Sequence, residues 1–390
     1  MKRILKFFLL FGAALAGMLA LSFFAPLPIP FLQDFSVMYF TDKCLLAGIP
    51  IYAYPAQLSF VRALTGPDFT FLPYPYPPWY ALSTLGLGLL PIQVAARAWF
   101  LTNLALFGGS VWLLTPRFRP IPRILGFLAA VMFIPAFGLL VVGQYSAPVL
   151  LGAALFAWAA GRKSAFWLAA ALLLLTFKPH IGGLLFLAGF IWLFFQKEPF
   201  ARRALWFTLT AGLLLAMLGL LADPRWPLSY LESLGRYRDI PGVQTCGLCA
   251  SLSVALIRVA SGQSSTALAA WLSLVLALGL GILLFRSERA RALLRQPAAL
   301  MALFSVLTLL VDPYLLNYDY ILLLVALFWL ARREQRTWLV WLIYLVPWAA
   351  LALGRDGNGV LSLAGIVTFI LILRQPIDAP LREAYNHFHN

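Results

Sequence analysis

Residues 143–185 read GQYSAPVLLGAALFAWAAGRKSAFWLAAALLLLTFKPHIGGLL. Two apolar runs, about 145–160 and 164–178, flank one basic pair, Arg162 and Lys163, and a third run begins after Lys178, Pro179 and His180. Apolar runs punctuated by short charged clusters mark a polytopic membrane protein. The pattern continues in both directions. Further spans are predicted at about 7–26, 124–142, 181–196, 204–222, 265–285, 298–311, 320–331, 337–353 and 359–373, with one or two within 78–114, where Pro91 divides a short half-helix or interfacial piece from a long one. That makes about 12 crossings, several of them shorter than the roughly 20 residues a straight span needs.

Composition agrees. Of 390 residues, 62% are hydrophobic and only 11% charged, more apolar surface than a soluble domain of this size could hide. The expected fold is therefore all-α: one integral membrane bundle over residues 1–390, with a first outer loop at 27–77 and a second at 223–264. The N-terminus is basic and then apolar for longer than a signal-peptide core of about 7–15 residues, which favours an uncleaved first span. The pI near 10.1 reflects Lys and Arg in loops rather than a nucleic-acid module, so no nucleic-acid partner is expected. Strongly basic clusters (Lys2/Arg3/Lys6, Arg117/Arg119/Arg123, Arg162/Lys163, Lys197/Arg202/Arg203, Arg286 to Arg295, Arg332/Arg333/Arg336, Arg374/Arg382) alternate with mixed or acidic ones. By the positive-inside rule the basic set is cytoplasmic, as are both termini. The outer face then receives 27–77, the turn 143–148, Lys178–His180, 223–264 and 311–320, which hold most of the unusual polar residues.

Within 27–77, apolar Phe35, Met38, Tyr39, Leu45 and Leu46 recur at helical spacing, predicting an amphipathic interfacial helix over 34–47 that ends at Gly48. Asp34 would stand at its N-terminus, as a cap that complements the helix dipole, as a general base, or as both. The stretch FLPYPYPPWY (71–80) is extended and stiff, either an interface anchor or the wall of a headgroup cavity. Lys178 with His180 either snorkels or holds a phosphate. Asp312, Asn317 and Asp319 sit at a span junction, where acids are costly unless solvated or functional. Arg236 and Arg238 can meet an anion. No G-x-x-x-x-G-K-S/T or post-strand G-x-G-x-x-G occurs, and no metal cluster stands out, so no cofactor is expected. Cys246 and Cys249 form a C-x-x-C without a nearby His or second pair, a weak zinc pattern. A local disulfide and simple packing of small side chains both stand as readings.

The order of these features resembles glycosyltransferase family 87, membrane enzymes of the C-type superfold. The resemblance lies in DFSVMYFTDKCLLAGIPIYAY (34–54), YPYPPWYALSTLGLGLLP (74–91), the stretch 143–185, ASLSVALIR (250–258) and DPYLLNYDYILLL (312–324). It implies transfer of a sugar, usually mannose, from a polyprenyl-phosphate donor to a glycan or glycolipid acceptor, within membrane lipids, on the periplasmic face of a bacterial inner membrane. Asp34 matches the family's general base. Lys178 matches its Lys-Pro and would hold the donor phosphate; by the reading of the residues above, His180, Arg236 and Arg238 would join it. Asp42, Tyr74, Tyr76, Gln144, Asn317 and Asp319 would line the substrates. The chain departs from the pattern in two places. It has no His near 317–319, and Cys249–Ala250 replaces Asn-Gln before the Ser-Leu block. A transporter or flippase of a lipid-linked or anionic substrate is the alternative; it predicts inverted repeats and broken helices at mid-membrane, and the sequence shows no clear repeat.

Overall fold

The turn between the two central apolar runs sets the architecture. In a computed structural model of the protein, Ala165–Leu175 and Pro179–Phe195 form a helical hairpin around residues 176–178. Pro179 occupies the first helical turn, where its missing N–H costs nothing. Gly182, one turn on, lies so close to the first helix that a Cβ there would overlap the Leu175 carbonyl oxygen. Glycine therefore permits the contact that fixes the Lys178 turn. Gly182→Ala is expected to destabilise the protein by about 1–3 kcal/mol, read as a lower thermal midpoint in detergent. An unchanged midpoint would mean that the hairpin opens freely.

The structure describes residues 33–115, 120–262, 264–333 and 337–376, together with Gly17 and Ala20. The predicted span 7–26 otherwise lies outside them, as do both termini, Arg117, Arg119 and Arg336. Among the described residues the secondary structure is helical, without a strand. Ala147–Gly161 packs on Ala165–Leu175 and on Ile92–Leu114, while Pro179–Phe195 packs on Pro297–Val311. Leu323–Leu330 is buried along its whole length and packs against Pro297–Val311 and Asn358–Arg374. A helix apolar on every side belongs in such an interior.

Other helices leave apolar faces outward. Pro199–Ala222 and Thr266–Arg286 are long and apolar enough to cross a membrane, yet only 17% of each hydrophobic window is buried. Trp206, Leu213, Leu221, Trp271, Leu278 and Phe285 stay exposed, a surface that lipid rather than water would cover. Among the described residues the count reaches four if Ile121–Val131 with Ile134–Val142 (bent by 59°) and Glu288–Leu294 with Pro297–Val311 (bent by 112°) are each one span. Seven further apolar helices among the described residues are shorter, 10–17 residues. The expected straight span over 124–142 is thus two helices, broken ahead of Pro135. The expected span 320–331 begins as a tight 3-10 turn, Asn317–Leu322, before Leu323–Leu330. The long loop 223–264 is itself largely helical, with Trp226–Arg238, Pro241–Thr245 and Leu252–Ser261.

The described part of the segment 27–77 corrects another expectation. Its helix spans Gln33–Leu46 and is followed by Gly48 at φ +76°, but it is not half-exposed. Phe35 to Asp42 are all buried, because 71–80 and the 3-10 turn Leu85–Leu89 cover the outer side. The contact is close: a Cβ at Gly88 would lie 3.0 Å from Asp42 Cβ. Asp34 follows Gln33 inside the first turn, so it is a first-turn acid rather than the residue ahead of the helix.

Candidate active site

Four segments meet at one end of the bundle: the start of Gln33–Leu46, the turn 143–146, Lys178 and the 3-10 turn Asn317–Leu322. The turn needs glycine. Gly143 has φ +72°, and a Cβ on it would meet Phe35 Cβ at 2.8 Å. Trp99 Nε1 donates to the Gly143 carbonyl (2.9 Å), and Asn103 Nδ2 donates to the Gln144 carbonyl (3.1 Å). The next three side chains all point into the cluster. Gln144 Nε2 donates to Asp34 Oδ2 (3.1 Å) while its Oε1 accepts from Lys178 Nζ (3.3 Å). The Tyr145 hydroxyl donates to the Asp34 carbonyl and accepts from Met38 N (3.1 Å). Ser146 Oγ donates to Asp319 Oδ1 (2.6 Å) and accepts from Lys178 Nζ (3.0 Å).

Lys178 precedes the first turn of its helix, with its ammonium directed inward and not snorkelling. It is 2% exposed, and its ion pair with Asp319 (1% exposed) is 2.5 Å long. With Asp319, Ser146 and Gln144 as acceptors, all three of its N–H groups are used. Such a pair is tolerated in an apolar bundle because its remaining polar atoms are satisfied too; Leu316 N donates to Asp319 Oδ2 (3.3 Å). Asp34 is half-buried. Desolvation holds its carboxyl above the ordinary carboxylate range. The Lys178 charge pulls it back, the Asp319 charge adds to the rise, and hydrogen bonds from Gln144 and Tyr318 favour the ionised form.

An aromatic wall backs the acid. The Tyr145 ring meets Tyr76 and Tyr80 edge-on, at 4.9 and 5.2 Å, and Tyr74 meets Tyr76 at 5.5 Å. Trp79 Nε1 donates to Thr176 Oγ1 (3.1 Å), pinning the wall to the hairpin turn. Cys246 and Cys249 are joined by a disulfide. The neighbouring Ala250 receives the Tyr320 hydroxyl on its carbonyl (2.9 Å) and donates its N–H to the Leu315 carbonyl (2.7 Å), which braces the segment that carries Asp319.

The structure thus gathers Asp34, Gln144, Lys178 and Asp319, with Tyr74 and Tyr76 behind them. Other candidates lie apart. Asp42 is fully buried eight residues along its helix, with Thr84 Oγ1 at 3.4 Å and burial raising its carboxyl well above the usual range. His180 is exposed, its ring 6.4 Å from that of Tyr314. Asn317 is exposed. Arg236 donates to the Tyr52 carbonyl (3.1 Å), and Arg238 is 73% exposed beside Asp239; neither guanidinium is hydrogen-bonded to the Lys178 cluster. Sequence reasoning passed over Ser146, Tyr145 and Tyr318. Ser146 is two residues from Gln144 in a turn already marked by its position, and that proximity was the available signal.

An all-helical chain with membrane-length apolar helices that gathers two acids, a lysine and an amide at one end of its bundle has the build of a membrane enzyme. The chain belongs to glycosyltransferase family 87, which it matches over residues 74–313. It is accordingly a membrane glycosyltransferase, with a sugar donor and an acceptor as substrates. Gln144, Ser146 and Lys178 fall inside the matched stretch, Asp34 precedes it and Asp319 follows it. No curated protein and no solved structure matches the chain significantly.

Proposed function

We propose that the protein moves a hexose, such as mannose, from a polyprenyl-phosphate donor to a glycan or glycolipid acceptor. It would do so at the outer surface of a bacterial inner membrane, within a C-type bundle of about 12 crossings. The observation that carries this reading is the single amide of Gln144 set between Asp34 and Lys178. It places a carboxylate and a cation a side chain's width apart.

In the proposed reaction the acceptor hydroxyl gives its proton to Asp34 as its oxygen attacks the anomeric carbon. The bond from that carbon to the phosphate oxygen breaks, and the electron pair leaves with the lipid phosphate. Lys178 supplies positive charge for that leaving group, which needs no protonation. A lipid-borne donor also accounts for a polar cluster at the end of an apolar bundle, where a phosphate at headgroup level can reach it while its tail stays in lipid. The disulfide supports an oxidising, extracytoplasmic side for this end of the bundle.

The test is transfer in proteoliposomes. Labelled sugar presented on a polyprenyl phosphate should reach a glycan or glycolipid acceptor, and the same sugar on a nucleotide should not. Transfer from the nucleotide sugar alone would overturn the donor assignment. Among the described residues, the bends between Ile121–Val131 and Ile134–Val142 (59°) and between Glu288–Leu294 and Pro297–Val311 (112°) are shared with the transporter reading. Net substrate movement across the vesicle wall without transfer would favour that reading.

A further inference from the structure

The Gln144 amide has only one orientation open to it. Its Oε1 faces two groups that can only donate, Tyr145 N at 2.7 Å and Lys178 Nζ at 3.3 Å. The opposite orientation would set an NH2 against an amide N–H and an ammonium. The Nε2 end is therefore committed to Asp34 Oδ2, and a donor at that place favours the ionised carboxylate. The backbone around it is held as well, by Trp99 on Gly143 and Asn103 on Gln144, and Gln144 itself is 3% exposed.

We propose that Gln144 is a positioning residue of the transfer reaction, orienting the Asp34 carboxylate through one end of its amide and Lys178 through the other. The proposal rests on the reading of Asp34 as the base. Gln144 touches no reacting atom in it; it acts by holding the groups that do. Of the three acceptors of Lys178, Gln144 is the most distant (3.3 Å against 3.0 and 2.5 Å), so the larger effect of its loss falls on Asp34.

The measurement is the dependence of transfer rate on pH. The base works ionised, so the rate falls on the acid side as Asp34 gains a proton. Gln144→Leu removes a hydrogen bond to the charged form and should move that acid limb upward by about one pH unit, the usual worth of a hydrogen bond to a charged group. The turnover number above the limb should fall by about tenfold. Gln144→Glu keeps an oxygen for Lys178 but sets a carboxylate beside Asp34, and should move the limb further than leucine does. The groups facing Asp34 are Lys178 from the hairpin turn, Asp319 and Tyr318 from the 3-10 turn, Tyr314 just before it, Tyr145, Tyr76 from the wall and Tyr237 from Trp226–Arg238. Only the first two are charged, and neither changes in these variants. A purely structural role would lower the rate equally at all pH values. Acid limbs that superimpose in wild type, Gln144→Leu and Gln144→Glu would overturn the proposal. If Asp34→Asn is inactive while the limbs superimpose, only the Gln144 proposal fails. If Asp34→Asn is fully active, the base assignment fails with it.

Discussion

Asp34→Asn is expected to slow sugar transfer by about 10²–10⁴-fold at saturating donor, the usual worth of a positioned general base. The substitution is close to isosteric. Its amide oxygen can still accept from Gln144, and the Tyr145 hydroxyl holds the Asp34 main-chain carbonyl, which no side-chain change removes. The helix Gln33–Leu46 should therefore keep its place against Leu85–Leu89, and elution profile and thermal midpoint should stay near wild type. What asparagine cannot do is take a proton from an attacking hydroxyl. A well-folded Asp34→Asn enzyme with near-normal turnover would remove Asp34 from the chemistry and leave it as a first-turn acid that complements the helix dipole.

Lys178→Met should have two separable effects. It strands Asp319 as an uncompensated charge in an apolar setting, which typically costs about 3–5 kcal/mol. It also removes the cation proposed to meet the departing phosphate, so transfer should fall by about 10²-fold or more. The double variant Lys178→Met with Asp319→Leu separates the two. Replacing both members of a buried pair by apolar side chains of similar size is often neutral, so the stability should return to within about 1 kcal/mol of wild type, read as a recovered thermal midpoint. Transfer should stay lost. Recovery of both stability and turnover in the double variant would show that the pair is structural only.

The sequence made much of this arrangement legible, for identifiable reasons. The hairpin around Lys178 could be read because its two apolar runs are uninterrupted and the Lys-Pro between them can only be a turn. Asp34, Gln144 and Lys178 stood out as polar residues beside long apolar runs. Asn317 and Asp319 looked equivalent in sequence but are not. In a 3-10 turn of about three residues per turn, positions two apart face well apart, so Asp319 enters the cluster and Asn317 meets solvent. The spacing of Phe35, Met38 and Tyr39 correctly marked a helix, yet said nothing of the wall 71–80 that covers its outer side. Arg236, a candidate anion ligand, sends one guanidinium nitrogen to the Tyr52 carbonyl, 184 residues away in the sequence. Such pairings across the chain have no local signature.

The turn 143–146 also bears on the order in which the protein can be made. Its side chains reach back 110 residues to Asp34 and forward 173 residues to Asp319. During synthesis Lys178 emerges 141 residues before Asp319, its ion-pair partner, and until then Asp34 is the acid of the cluster already made. The site is therefore a late product of biogenesis. A chain ending ahead of residue 319 would hold most of the helices but lack the carboxylate that forms the buried ion pair with Lys178.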